Sequence, residues 1–217
     1  MSVCSNTIYI SLLQEAGCVQ PALHFLYGCA MLEEKTLPVT AARIGGKRMA
    51  TIAREILEQF AWICQTPHPP GKEAALRGRI IDLLRGLGLN PWTDVRGNLV
   101  CDLPASPGCI QGPLTAVQAH LDMVCAAGSA AYVPERDPIK PIERDGFLCT
   151  AGESSLGADC GAGAAVMLWL AEHPDLPHPP LRLLFTVEEE IGLRGAQEMD
   201  PTCVAGVRYL INTDGFR

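Results

Sequence analysis

Apolar positions along this chain follow two different periods, and the changes between them mark out the predicted elements. From Thr51 the spacing is helical: Ile52, Ile56, Phe60 and Ile63 share one face. Pro67-His68-Pro69-Pro70-Gly71 must end that helix, which makes His68 a turn residue. A second amphipathic helix is predicted over about 73–87, with Leu76, Ile80, Leu83, Leu84 and Leu87 inward, Gly88 as its C-terminal cap and Pro91 barring continuation. Trp92–Val95 and Asn98–Leu103, divided by Arg96-Gly97, read as the two strands of a hairpin. Leu114–Ala119, Leu181–Val187 and Val207–Asn212 are short apolar runs of the buried-strand type. Between them fall a helix over 164–172, closed by His173-Pro174, and a short helix over 192–199. Strand, helix, strand, helix, strand predicts an α/β fold, a mainly parallel sheet with helices on both faces. Residues 1–50 show only weak helical periodicity, through Ile8–Leu13 and Leu23–Leu32, and read as an N-terminal extension to a domain over 51–217.

In open α/β sheets ligands bind beyond the carboxyl ends of the strands, where helices begin. That edge collects His120 and Asp122 after the first run, Glu188-Glu189-Glu190 after the second, Asp214 after the third, and Asp159 ahead of the 164–172 helix. Each has a commoner use on its own. Asp159 and Asp214 could cap helices, and the acidic triplet could be a solvated helix start. Taken together, one imidazole and at least four carboxylates on one rim are costly unless cations neutralise them. Mixed His and carboxylate donors suit Zn²⁺ or a similar first-row divalent ion.

Composition narrows the field further. A net charge of −7 argues against nucleic acid or an anionic membrane surface as the main partner. Ten cysteines occur without a C-x-x-C pair. The N-terminal stretch has no basic n-region and is too short for a membrane span, so the thiols read as reduced and the chain as cytoplasmic. His173 and His178 fall on the opposite edge of the predicted sheet. Gly161-Ala162-Gly163 lacks the third glycine of a dinucleotide fingerprint, and Gly152-Glu153-Ser154-Ser155-Leu156 is not a serine-hydrolase elbow.

Four segments in order, Gln118-Ala119-His120-Leu121-Asp122-Met123-Val124, Leu156-Gly157-Ala158-Asp159, Thr186-Val187-Glu188-Glu189-Glu190-Ile191-Gly192 and Leu210-Ile211-Asn212-Thr213-Asp214, resemble the aminoacyl-histidine (Xaa-His) dipeptidase branch of the cocatalytic-zinc aminoacylase/carboxypeptidase family. The similarity runs from about Glu55 to the last residues. It implies hydrolysis of Xaa-His dipeptides by two Zn²⁺ ions, with Mn²⁺ or Co²⁺ as substitutes, bridged by Asp159. One ion would also be held by His120 and Asp214, the other by Glu190. The resemblance makes Asp122 the residue that fixes the His120 ring and Glu189 the general base. Glu188, where the branch has a small polar residue, reads as a solvated bystander.

Two departures stand out. Cys160 occupies the place of an Asn or Asp that follows the bridging Asp, often across a cis peptide. A thiolate ligand is a second use for Cys160, ranked below Glu190. The family pattern also continues beyond the Asp214 motif into a lid or dimerisation domain and a final His ligand, whereas this sequence ends at Arg217. The expectation is a partial catalytic domain with weak or no activity alone, whose homodimer contacts belong to the lid. The rival expectation is a noncatalytic metal-binding or interaction module derived from such a peptidase.

Overall fold

The structure, a computed structural model, describes residues 9–12, 46–124 and 126–215. Helix α1 (Gly46–Cys64) begins inside the stretch read as an extension, so the 50/51 boundary falls within a helix. Phe60 and Ile63 of its apolar face are buried, and the chain breaks at Pro67 as its ring demands. In α2 (Ala74–Gly86) Leu76, Ile80 and Leu84 are wholly buried. Full burial of each such side chain stabilises by about 1.5–3 kcal/mol. Leu87 departs from the expected face: the helix ends before it, and as the C-cap it is 43% exposed. Gly88 then takes the left-handed φ of 79° that terminates the helix.

Six strands form the main sheet: β1 (Tyr9–Leu12), β2 (Trp92–Thr93), β3 (Leu99–Leu103), β4 (Thr115–His120), β7 (Leu181–Thr186) and β8 (Tyr209–Asn212), in the spatial order β1-β8-β4-β7-β3-β2. Strands β8, β4 and β7 run parallel at the centre, and β1, β3 and β2 add antiparallel edges. A separate hairpin pairs β5 (Ile142–Arg144) with β6 (Phe147–Cys149). The stretch around Ile8–Leu13 was expected to be helical; residues 9–12 instead extend the open edge of β8, whose unpaired backbone groups they satisfy. Leu23–Leu32 lies outside the described residues.

The strand alternation sorts the sheet into two faces. Leu99, Cys101, Leu103, Val117, Ala119, Leu183 and Phe185 meet α1, α2 and α3 (Ala158–Glu172) in one large core. On the other face Val100 and Leu184 meet Cys203, with Met199 and Val204 packed alongside, around the short α4 (Arg194–Gln197) and a 3₁₀ turn (Pro201–Val204). Among the described residues, no helix is long and apolar enough to cross a membrane, and Cys64, Cys101, Cys109, Cys149, Cys160 and Cys203 are free thiols.

Candidate metal centre

The parallel trio delivers its loops to one edge. His120 pairs with Thr186 and Gln118 with Asn212, so the segments that follow β4, β7 and β8 leave the sheet side by side. His120 is only 2% exposed. Its Nδ1–H donates to the backbone carbonyl of Asp122 at 2.7 Å, which turns Nε2 toward the rim. There Nε2 stands 3.8 Å from Glu189 Oε2 and 3.8 Å from Asp214 Oδ1.

Asp122 meets the His120 ring through its backbone carbonyl, and its side chain has further partners. Its carboxylate is 3.5 Å from Nδ1, farther than its own carbonyl. The two carboxylate oxygens instead accept the backbone N–H groups of Glu189 and Glu190, at 2.9 and 3.0 Å. The buried side chain therefore ties the loop after β4 to the loop after β7. Burial alone would raise its pKa, but the adjacent His120 ring and those two N–H groups hold it below the usual carboxylate range.

The remaining carboxylates set the charge of the rim. Burial pushes Glu189 up; His120 opposes the shift, while Asp214, Glu190 and Asp122 add to it. Burial would lower His120, yet hydrogen bonds to Asp122 and Cys160, together with their charges, leave it pushed up to about 11. Without a cation, the cluster is negative enough to keep a proton on the ring, in the place a divalent ion would take. The donor set therefore fits a metal.

Asp159 was expected on a loop ahead of a helix. It lies instead within the first turn of α3, which starts at Ala158 after the left-handed Gly157 (φ 70°). Gly161 and Gly163 sit inside this helix, and glycine is required there because neighbours come too close for a side chain. A Cβ on Gly161 would lie 2.8 Å from the Phe60 ring, and one on Gly163 would strike the side chain of Thr213. The carbonyl of Asp159 accepts the Gly215 N–H at 2.9 Å, fixing α3 against the segment after β8. The Asp159–Cys160 peptide is trans.

Among the described residues, donor atoms that lie within 4.8 Å of one another form two trios, His120–Asp159–Glu190 and His120–Cys160–Asp214. The structure thus brings all four sequence-derived ligand candidates to one place, with His120 common to both groups. Below the rim a cavity of about 180 Å³ is lined by Gln118, His120, Thr186, Glu189, Asn212 and Asp214, among others. His173 and His178 lie at the far edge. His173 stacks on Trp169 at the end of α3, and the His178 N–H donates to Ser106.

Two residues depart from their sequence reading. Glu188 is not a solvated bystander: its side chain is 17% exposed and bonds Arg96 at 2.6 Å, with Arg194 at 3.7 Å. Its positive φ of 52° turns it away from its two acidic neighbours. His68, read as a turn residue, is buried. Its Nδ1–H donates to the Thr66 carbonyl at 2.6 Å, and its own carbonyl accepts the Met123 N–H at 3.3 Å, supporting the loop after β4. The proline-rich setting signalled a turn but carried no mark of burial.

Over 156 residues the chain is 35% identical to the cytosol non-specific dipeptidase of Escherichia coli K12, covering 71% of this chain and 32% of that protein. Among solved structures, the aminoacylhistidine dipeptidase of Vibrio alginolyticus matches with a TM-score of 0.64 and 30% identity, covering 67% of this chain and 30% of that one. A tripeptidase from Staphylococcus aureus gives a TM-score of 0.59 and 27% identity, over 70% and 41% respectively. No protein-family profile matches the chain. The chain spans about a third of the length of the dipeptidases it matches. Its homologues are dipeptidases and peptidases, as the motifs implied, and its α/β architecture is that of their catalytic domains.

Proposed function

We propose that this chain is the metal-binding core of a cytoplasmic metallo-dipeptidase of the Xaa-His branch, with His120, Asp159, Glu190 and Asp214 as metal ligands and Glu189 as general base. The observation that carries this reading is the pair of trios that share His120, one with Asp159 and Glu190 and the other with Cys160 and Asp214, each with donor atoms within 4.8 Å of one another. A mixed His and carboxylate set suits Zn²⁺, and also Co²⁺ or Mn²⁺. Such an ion, when bound, polarises a carbonyl and lowers the pKa of a coordinated water toward about 7.

The chain's own groups do the rest. Glu189, whose carboxyl is held above its ordinary range and stands 3.8 Å from His120 Nε2, accepts the proton of the attacking water and hands it to the leaving amine. Asp122 keeps Glu189 and Glu190 in place by holding both of their backbone N–H groups. The Asp122 carbonyl keeps the proton on Nδ1 and leaves Nε2 as the ligand atom. A small peptide is the substrate class, and the cavity beside Glu189 and Asp214 borders the place where it would react.

Metal content per purified chain tests the reading. Wild type should retain zinc after dialysis, Asp159→Ala should lose it, and Glu189→Gln should retain it while abolishing whatever hydrolysis of a His-containing dipeptide the loaded chain shows. A wild-type chain that takes up no divalent metal refutes the proposal.

A further inference from the structure

We infer that Cys160 is itself a metal ligand, its thiolate joining His120 and Asp214 to form a His/Cys/carboxylate seat for one zinc-like ion. The inference rests on the metal-centre reading above and sharpens it. His120 has one nitrogen to give, because Nδ1 is committed to the Asp122 carbonyl. The two trios therefore compete for a single imidazole. In the trio with Asp214, the third donor is sulfur rather than a second carboxylate.

The plain alternative is a cysteine that fills space, which is the commonest use of a buried thiol. Cys160 does close the main core, as Cys64 and Cys101 do. Its sulfur, however, also accepts the backbone N–H of His120 at 2.9 Å and faces Asp214. An N–H aimed at sulfur supports negative charge there, and donors around a ligand atom tune its metal. The position is rigid as well. Cys160 lies in the first turns of α3, where Gly163 lets the helix close on Thr213, beside Asp214. On binding, a metal–sulfur bond replaces the S–H bond and the proton passes to solvent. Sulfur among the ligands favours Zn²⁺ and Co²⁺ over Mn²⁺, which prefers oxygen donors.

Cobalt titration of the full chain tests this, with absorption spectra of wild type, Cys160→Ser and Cys160→Asn. Wild type should show a near-ultraviolet thiolate-to-cobalt charge-transfer band. Both variants should lose the band while still binding cobalt, and their preference for Zn²⁺ over Mn²⁺ should fall roughly 10-fold, the scale of losing one tuned ligand interaction. Cobalt bound without the band, or a band unchanged in the variants, overturns the inference and leaves the metal-centre reading standing. No cobalt bound at all sinks that reading too. Should both variants fail to fold, zinc-edge X-ray absorption on wild type decides. A sulfur at about 2.3 Å supports the thiolate, and a shell of nitrogen and oxygen alone at about 2.0–2.2 Å overturns it.

Discussion

Asp122→Ala, measured without metal, isolates what the site contributes to the fold. The wild-type carboxylate is fully buried and accepts two backbone N–H groups, from Glu189 at 2.9 Å and Glu190 at 3.0 Å. Hydrogen bonds to a charged group contribute about 1.5–3 kcal/mol each. Removing the acceptor also leaves two half-buried donors unpaired beside a buried histidine that has lost its counter-charge, and breaking a buried pair in this way costs about 3–5 kcal/mol. A loss near 4 kcal/mol is a large share of the 5–15 kcal/mol typical of a whole domain. With a urea m-value near 2 kcal/mol/M, the unfolding midpoint should drop by about 2 M. Asp122→Asn keeps one oxygen as an acceptor and should lose about half as much. Urea titrations of the three proteins in EDTA, followed by far-UV circular dichroism, check both values. An Ala variant within about 1 kcal/mol of wild type, or an Asn variant as unstable as Ala, would refute the claim that this carboxylate joins the two loops.

Gly163→Ala places a carbon against Thr213, so overpacking should cost about 1–3 kcal/mol and weaken metal binding through displaced Asp159; a thermal melt showing stabilisation, as helix propensity alone dictates, would show that the close approach is not real. Asp94 accepts the backbone N–H groups of Arg96, Gly97 and Asn98 at 2.8–2.9 Å. Burial opposes ionisation there, but the Asn98 side chain and the backbone N–H groups of Asp200, Asn98 and Gly97 hold its pKa below the usual range. A depressed folded-state pKa gives stability that is present above the ordinary carboxylate value of about 4 and fades as pH falls through the lower folded value. The stability gap between wild type and Asp94→Asn should therefore be widest near neutrality and shrink in acid, and a gap independent of pH would disprove the assignment.

What could be read from the residues was governed by position on the sheet. His120, Glu189, Glu190 and Asp214 each follow an apolar run, and strand ends in a parallel sheet share an edge, so their meeting was legible before any coordinates. Asp159 was found for a partly wrong reason. Its flanking glycines signal a loop by propensity, whereas Gly161 and Gly163 lie within a helix and are glycine because Phe60 and Thr213, both distant in sequence, approach too closely for a Cβ. The same limit hid the partnership of Glu188 with Arg96, which pairs residues on different strands' loops, and the burial of His68. Asp122 was picked out by its nearness to His120, but its principal partners are two amides on another strand's loop, which no local pattern announces.

Strand β4 has a parallel neighbour on each side, while β1 and β2 lie at the sheet's margins. Unfolding fluctuations begin where backbone amides have the fewest neighbours and reach the middle last. The imidazole is thus rooted in the part of the molecule that opens least often, and fraying at either border can come and go without moving it.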